Sequence, residues 1–181
     1  MSKEIKLSAI RPIVSRTDLK GKIKYANSYF IEVSGYSEKE LIGTPHNIIR
    51  HPDMPKIIFK IMWQRLDNNQ NILAIVKNQT KTGDYYWVTT LFETKYNHFD
   101  NTPEAYLALR KAVPKKALET IEPLYKELIA QELLGGVKAS EAYLLEILRD
   151  KDMTYDEFMQ DIVEYNGLVA KFFNSMKKLF I

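Results

Sequence analysis

Cysteine is absent from all 181 residues, which excludes a disulfide scaffold, a thiolate-held zinc or iron–sulfur centre and a cysteine nucleophile. Histidine is scarce, at three residues, so an imidazole-rich metal site has few possible ligands. His51 and Asp53 make two ligands at best, a poor site. No apolar run approaches the ~18 residues that a membrane span needs. Met1-Ser2-Lys3-Glu4 carries no signal-peptide apolar stretch. No block of Lys and Arg exists, so nucleic-acid binding is not expected. G-x-S-x-G, P-loop and H-E-x-x-H patterns are all missing, and an enzyme is not expected.

What is present is an ordinary globular composition, 45% apolar, with enough chain to bury a core. The net charge of +3 is unevenly spread. Residues 1–114 carry 17 basic and 11 acidic side chains; residues 115–181 carry 9 and 12. The pattern changes at the same place, so residues 1–113 read as one domain and 114–181 as a helical tail.

The first region reads as α+β. Short strands are expected at 13–17 and 22–25, with the turn Asp18-Leu19-Lys20-Gly21 between them. A short helix over 28–34 stops at Gly35. Ser37 and Glu40 form a capping box for another brief helix. Asp53-Met54-Pro55 opens a longer one, with Asp53 as its expected N-cap and a stripe of Ile57, Ile58, Ile61, Met62 and Leu66. Strands follow at 72–80, 85–95 and 106–112, joined by polar turns. An antiparallel sheet with helices on one face is the expected architecture.

The tail reads as helix over 117–132, a break at Gly135-Gly136, and helix over 140–149. Thr154 and Glu157 form a further capping box. Phe158, Ile162, Tyr165, Val169, Phe172, Met176 and Leu179 then recur at four and three residues, a heptad seam. Tyr155, Met159, Val163 and Leu168 broaden it, which favours packing on more than one neighbour.

The stretch Pro45-His46-Asn47-Ile48-Ile49-Arg50-His51-Pro52-Asp53-Met54-Pro55 concentrates chemistry just before a helix. Its Arg and His, with free backbone amides, offer fixed donors to an anion; the plainer reading is a stiff capped loop. This loop, with Tyr25-Ala26-Asn27, Val33-Ser34-Gly35-Tyr36, Ile75-Val76-Lys77-Asn78 and Gly83-Asp84-Tyr85-Tyr86-Trp87-Val88, resembles the PAS sensor domain of bacterial aerotaxis (energy-taxis) receptors. The similarity extends over about residues 12–128. It implies a PAS fold, with five antiparallel strands and a cleft that holds FAD noncovalently. The family's flavin-associated positions fall on Asn27, Arg50, His51, Asp53, Trp63 and Asn78.

Physically, Arg50 suits a pyrophosphate, and His51 a phosphate or ribose. Asp53 suits the helix cap and loop, while Asn27 and Asn78 match a flavin's pyrimidine edge. Plainer readings exist beside these: Asn27 as a helix cap, Trp63 as core, Asn78 facing water, and His46, Tyr85 and Tyr86 as structural. The family often has a tryptophan where this chain has Ile72, an aromatic stack worth ~1 kcal/mol. The resemblance implies a cytoplasmic redox sensor, at most peripheral to the inner membrane. It would signal to a separate membrane chemoreceptor with HAMP and signalling regions, as in split energy-taxis systems, or form a homodimer through the C-terminal helices. A heme-binding gas sensor, with an axial ligand from His46, His51 or His98, and a cofactor-free PAS adaptor are the alternatives.

Overall fold

A computed structural model describes residues 2–163, 171–173 and 175–176. Strands β1 (Ile13–Thr17) and β2 (Ile23–Ala26) come first, followed by helices α1 (Ser28–Ser34) and α2 (Glu38–Leu41). A 3-10 turn, His46–Ile49, leads to α3 (Lys56–Asp67). Strands β3 (Ile72–Gln79), β4 (Tyr85–Tyr96) and β5 (Pro103–Ala112) complete the sheet, and α4 (Lys115–Asp150) and α5 (Tyr155–Ile162) form the tail.

The sheet is antiparallel throughout, in the order β2-β1-β5-β4-β3. β5 begins three residues before its expected start, because Thr94 and Lys95 pair with Tyr106 and Ala105 and extend the hairpin toward its turn. Burial along β3, β4 and β5 is nearly continuous rather than alternating. Asn27 knots the entrance to α1. Its Oδ1 accepts the amides of Val14 and Phe30, both at 3.0 Å, and its Nδ2 donates to the carbonyl of Pro12 at 2.9 Å.

Contacts divide the chain into two compact units, 1–52 with 64–112, and 53–63 with 113–181. The first part of α3 therefore groups with the tail. α3 starts at Lys56, past the expected Asp53 cap, and the amide of Ile57 donates to the Glu132 carboxylate at 2.9 Å. α4 breaks where the two glycines predict: Gly135 and Gly136 depart from helical dihedrals, Gly136 at φ 71 and ψ −168. Across the break, Ser140 Oγ donates to Glu132 at 3.2 Å, and Lys60 Nζ pairs with Glu141 at 2.6 Å. Thr154 and Glu157 form the expected capping box of α5. Of the heptad seam, Phe158 and Met176 are buried within the chain, while Tyr165, Val169 and Leu179, with the flanking Leu168, lie outside the described residues. No described helix is long and apolar enough to cross a membrane.

Candidate functional site

Strand register defines one face of the sheet residue by residue. Thr90 stands opposite both Ala74 and Arg110, Arg110 opposite Ile13, Ser15 opposite Ala108, and Asn78 opposite Tyr86. Side chains at these positions share a face because successive residues of a strand point to opposite sides. Phe30 from α1 and His46 from the 3-10 turn lie over it, since both contact Arg110.

His46 is placed by the backbone. Lys22 pairs with Pro45 as an antiparallel bridge, and the His46 amide donates to the Gly21 carbonyl at 2.9 Å. Its ring stacks on Phe30, centroids 5.7 Å apart and planes 12° from parallel. Arg110 Nη1 donates to Ser15 Oγ at 2.9 Å, and Arg110 Nη2 lies 2.9 Å from His46 Nε2. Ser15 Oγ lies 2.9 Å from the same nitrogen. A guanidinium can only donate, so Nε2 is the acceptor and the neutral ring carries its proton on Nδ1. Burial first, and the Arg110 charge second, push the His46 pKa down to about 3.

Arg110 is 2% exposed. Burial lowers its pKa to about 10, so it remains a cation at neutral pH. Its contacts are neutral: Ser15, His46 and, at 3.4 Å, the Ala108 carbonyl. Further along the same face, Thr90 Oγ1 and Thr94 Oγ1 are buried without a hydrogen-bond partner among the described residues, and Asn78 Nδ2 and Tyr86 OH, which are near enough to influence each other, are buried with no bond of good geometry. Burial raises the Tyr86 phenol pKa, so it stays protonated as a donor. Such groups are rarely left unpaired in a finished core.

The loop at residue 50 reaches the end of this row. Arg50 pairs with Asn78 as an antiparallel bridge, and the His51 amide donates to the Lys77 carbonyl at 3.4 Å. His51 is buried, its ring edge-on to Tyr85 at 5.7 Å. Arg50, His51 and Asn78 are thus brought together, and Asn78 is 3% exposed rather than facing water. Asn27 sits instead in the β1–α1 knot, with both acceptor sites of its oxygen taken. Asp53 and Trp63 belong to the second unit, and Trp63 is 37% exposed rather than core. Ile72, at the position where the family often has tryptophan, lies opposite Phe92, which supplies an aromatic ring to the same face.

His46 and Tyr86 read as structural from the sequence, and nothing in its own segment singles out Ser15. One signal is present: Arg110 follows directly on the apolar run Tyr106-Leu107-Ala108-Leu109 while the strand continues to Ala112. His98 is exposed in the β4–β5 turn, and the lone pair of His46 Nε2 is engaged, which leaves neither as a ready axial ligand. No cluster of three potential metal ligands exists among the described residues.

Comparison with known proteins agrees with this architecture. Residues 23–105 match a family model described as PAS fold. The chain is 41% identical over 118 residues to the aerotaxis receptor of Escherichia coli, covering 65% of this chain and 23% of that one. It therefore spans less than a quarter of that relative's length. Among solved structures, a PAS domain from Colwellia psychrerythraea superposes with a TM-score of 0.51 at 21% identity, covering 57% of this chain and 87% of that one. A light-oxygen-voltage domain studied with a flavin analogue gives 0.52 at 18%, covering 64% and 86%. Five antiparallel strands in this order, the helix-covered polar face and the sequence match together identify the region as a PAS domain, similar in sequence to part of the aerotaxis receptor.

Proposed function

We propose that the chain is a redox sensor of the energy-taxis kind, whose PAS cleft binds FAD noncovalently and whose signal passes to a separate membrane chemoreceptor in the cytoplasm. The observation that carries this reading is the row of buried polar atoms without a bond of good geometry on one sheet face, Asn78 Nδ2, Tyr86 OH and Thr90 Oγ1, beside the Arg110 cation. Donors in a row suit the carbonyl oxygens and ring nitrogens of a flat heteroaromatic ring. The residues present therefore fit a flavin, and the similarity to an aerotaxis receptor and to a domain studied with a flavin analogue supports the same choice.

In this reading Asn78 and Tyr86 orient the ring edge. Arg50 and His51, at the end of β3, serve the phosphate-bearing part. Asn27 holds β1 and α1 in place rather than touching the ligand. Bound flavin supplies reversible electron uptake with a change of protonation at its ring nitrogens. Asn78 responds because its amide presents either a donor or an acceptor. It lies in β3 beside the Arg50–His51 loop, which leads directly into α3, so a turned amide reaches a helix within a few residues.

The test is the visible spectrum of protein purified without added cofactor, and of the supernatant after heat denaturation. Free FAD in the supernatant is the expected result. A colourless protein that also fails to take up added FAD would overturn the proposal.

A further inference from the structure

Arg110 has more charge than its surroundings answer. It is 2% exposed, and among the described residues every group it touches is neutral. The titratable or aromatic groups around it are His46 from the 3-10 turn, Tyr86 from β4 and Phe30 from α1. Tyr86 is protonated, and His46 accepts from Arg110 only while its Nε2 is bare. Lys77 and Lys111 fall on the opposite face by strand alternation and would add positive charge, not remove it. Among the described residues no carboxylate meets the guanidinium. A buried cation without a counter-charge is strongly disfavoured, and buried charges are ordinarily paired. Three neutral acceptors hold Arg110 in place without neutralising it.

Resting on the flavin reading, we propose that Arg110 is the charge-selecting residue of this cleft, and that it favours the form of the ligand carrying the greater negative charge. Ser15 and His46 position it from the side away from the buried donors of β3 and β4. For a flavin the consequence is specific. Two electrons with two protons give a neutral reduced ring; two electrons with one proton give an anion. Arg110 favours the second, and so draws the bound flavin toward reduction with a single proton.

The experiment is a potentiometric titration of the flavin-loaded protein, reduced by dithionite, at several pH values near 6. One proton per two electrons gives a slope of about 30 mV per pH unit; two protons give about 59. The wild-type protein is expected to follow the shallower slope. In Arg110→Met the preference for reduced over oxidised flavin is expected to fall at least about tenfold, a drop of about 30 mV for a two-electron couple. Arg110→Lys should restore most of it. A steep slope in the wild type, or a potential unchanged in Arg110→Met, would overturn the inference while leaving the flavin reading intact. Wild-type protein that takes no flavin overturns both. The wild-type slope decides the matter even if Arg110→Met does not fold.

Discussion

Glu132 accepts the amide hydrogen of Ile57 at 2.9 Å, although the two are 75 positions apart. The first amides of a helix have no partner within it, and the positive end of the dipole faces them. Pro55, just before α3, has no side-chain acceptor to offer, and a carboxylate from the tail meets the amide of Ile57 in the first turn. Ser140 holds that carboxylate from beyond the Gly135–Gly136 break.

Replacing Glu132 by Ala should therefore act as loss of a helix cap, destabilising the protein by about 1 kcal/mol. Glu132→Gln keeps an acceptor oxygen and loses only the charge, about 0.3–1 kcal/mol. Urea unfolding of both variants ranks them, and amide exchange at Ile57 should quicken in the Ala variant. Equal stability of Ala variant and wild type would show that the cap contributes nothing.

His46 makes stability depend on pH. Its folded pKa, about 3, lies below the ~6.5 of an exposed imidazole, so the unfolded chain binds more protons between those values. Stability is then complete above about pH 6.5 and falls as pH drops, by at most about 1.4 kcal/mol per unit. Below about pH 5 carboxylates join in, among them Glu40, held down to about 2 by Lys81 and by the Ser37 amide and hydroxyl. The informative comparison is His46→Gln against wild type from pH 7 to 5. The difference in unfolding free energy should shrink with acid; a constant difference would mean that His46 titrates normally.

Asn27→Ala would leave the Val14 amide and the Pro12 carbonyl without their partner and strip α1 of its cap. A loss of about 2–4 kcal/mol follows from the cap and the orphaned groups. Asn27→Asp keeps both accepted bonds and loses only the donated one, so it should sit about 1 kcal/mol below wild type. Thermal melts give the order. An Asp variant as unstable as the Ala variant would contradict the knot described.

Gly136 combines φ 71 with ψ −168, a region that side chains with a Cβ avoid. Gly136→Ala should cost about 1–3 kcal/mol although no atom stands within 4 Å of the added carbon. At Gly135 the obstacle is steric instead, since a Cβ would lie 2.9 Å from that of Ala139. Calorimetry of the two variants separates backbone strain from crowding.

Local signals disclosed most of the elements. The cap residues Asn27, Ser37 and Thr154, the stop at Gly35 and the glycine break in the tail are all short-range chemistry, and each lies where its residues predict. The site was only half legible. Arg50, His51 and Asn78 were reachable through resemblance, whereas Ser15 and Arg110 are 95 positions apart and meet only because β1 pairs with β5. Strand register is a property of the whole sheet, and a single strand's pattern does not contain it. Trp63 misled for a related reason: apolar neighbours three and four residues away do not reveal which part of a helix surface stays open to water.

The two outer strands are not left bare. Alongside β2 runs the chain at 43–46, where Ile23 exchanges bonds with Thr44 and Gly43, and Arg50 and His51 close the far end of β3. Free strand edges are templates on which another copy can add, the usual beginning of aggregation. The segment that carries His46, Arg50 and His51 is thus also a guard for the sheet. A change that loosens the segment for the sake of a different ligand would expose amides and carbonyls at both borders, and self-association would be its first symptom.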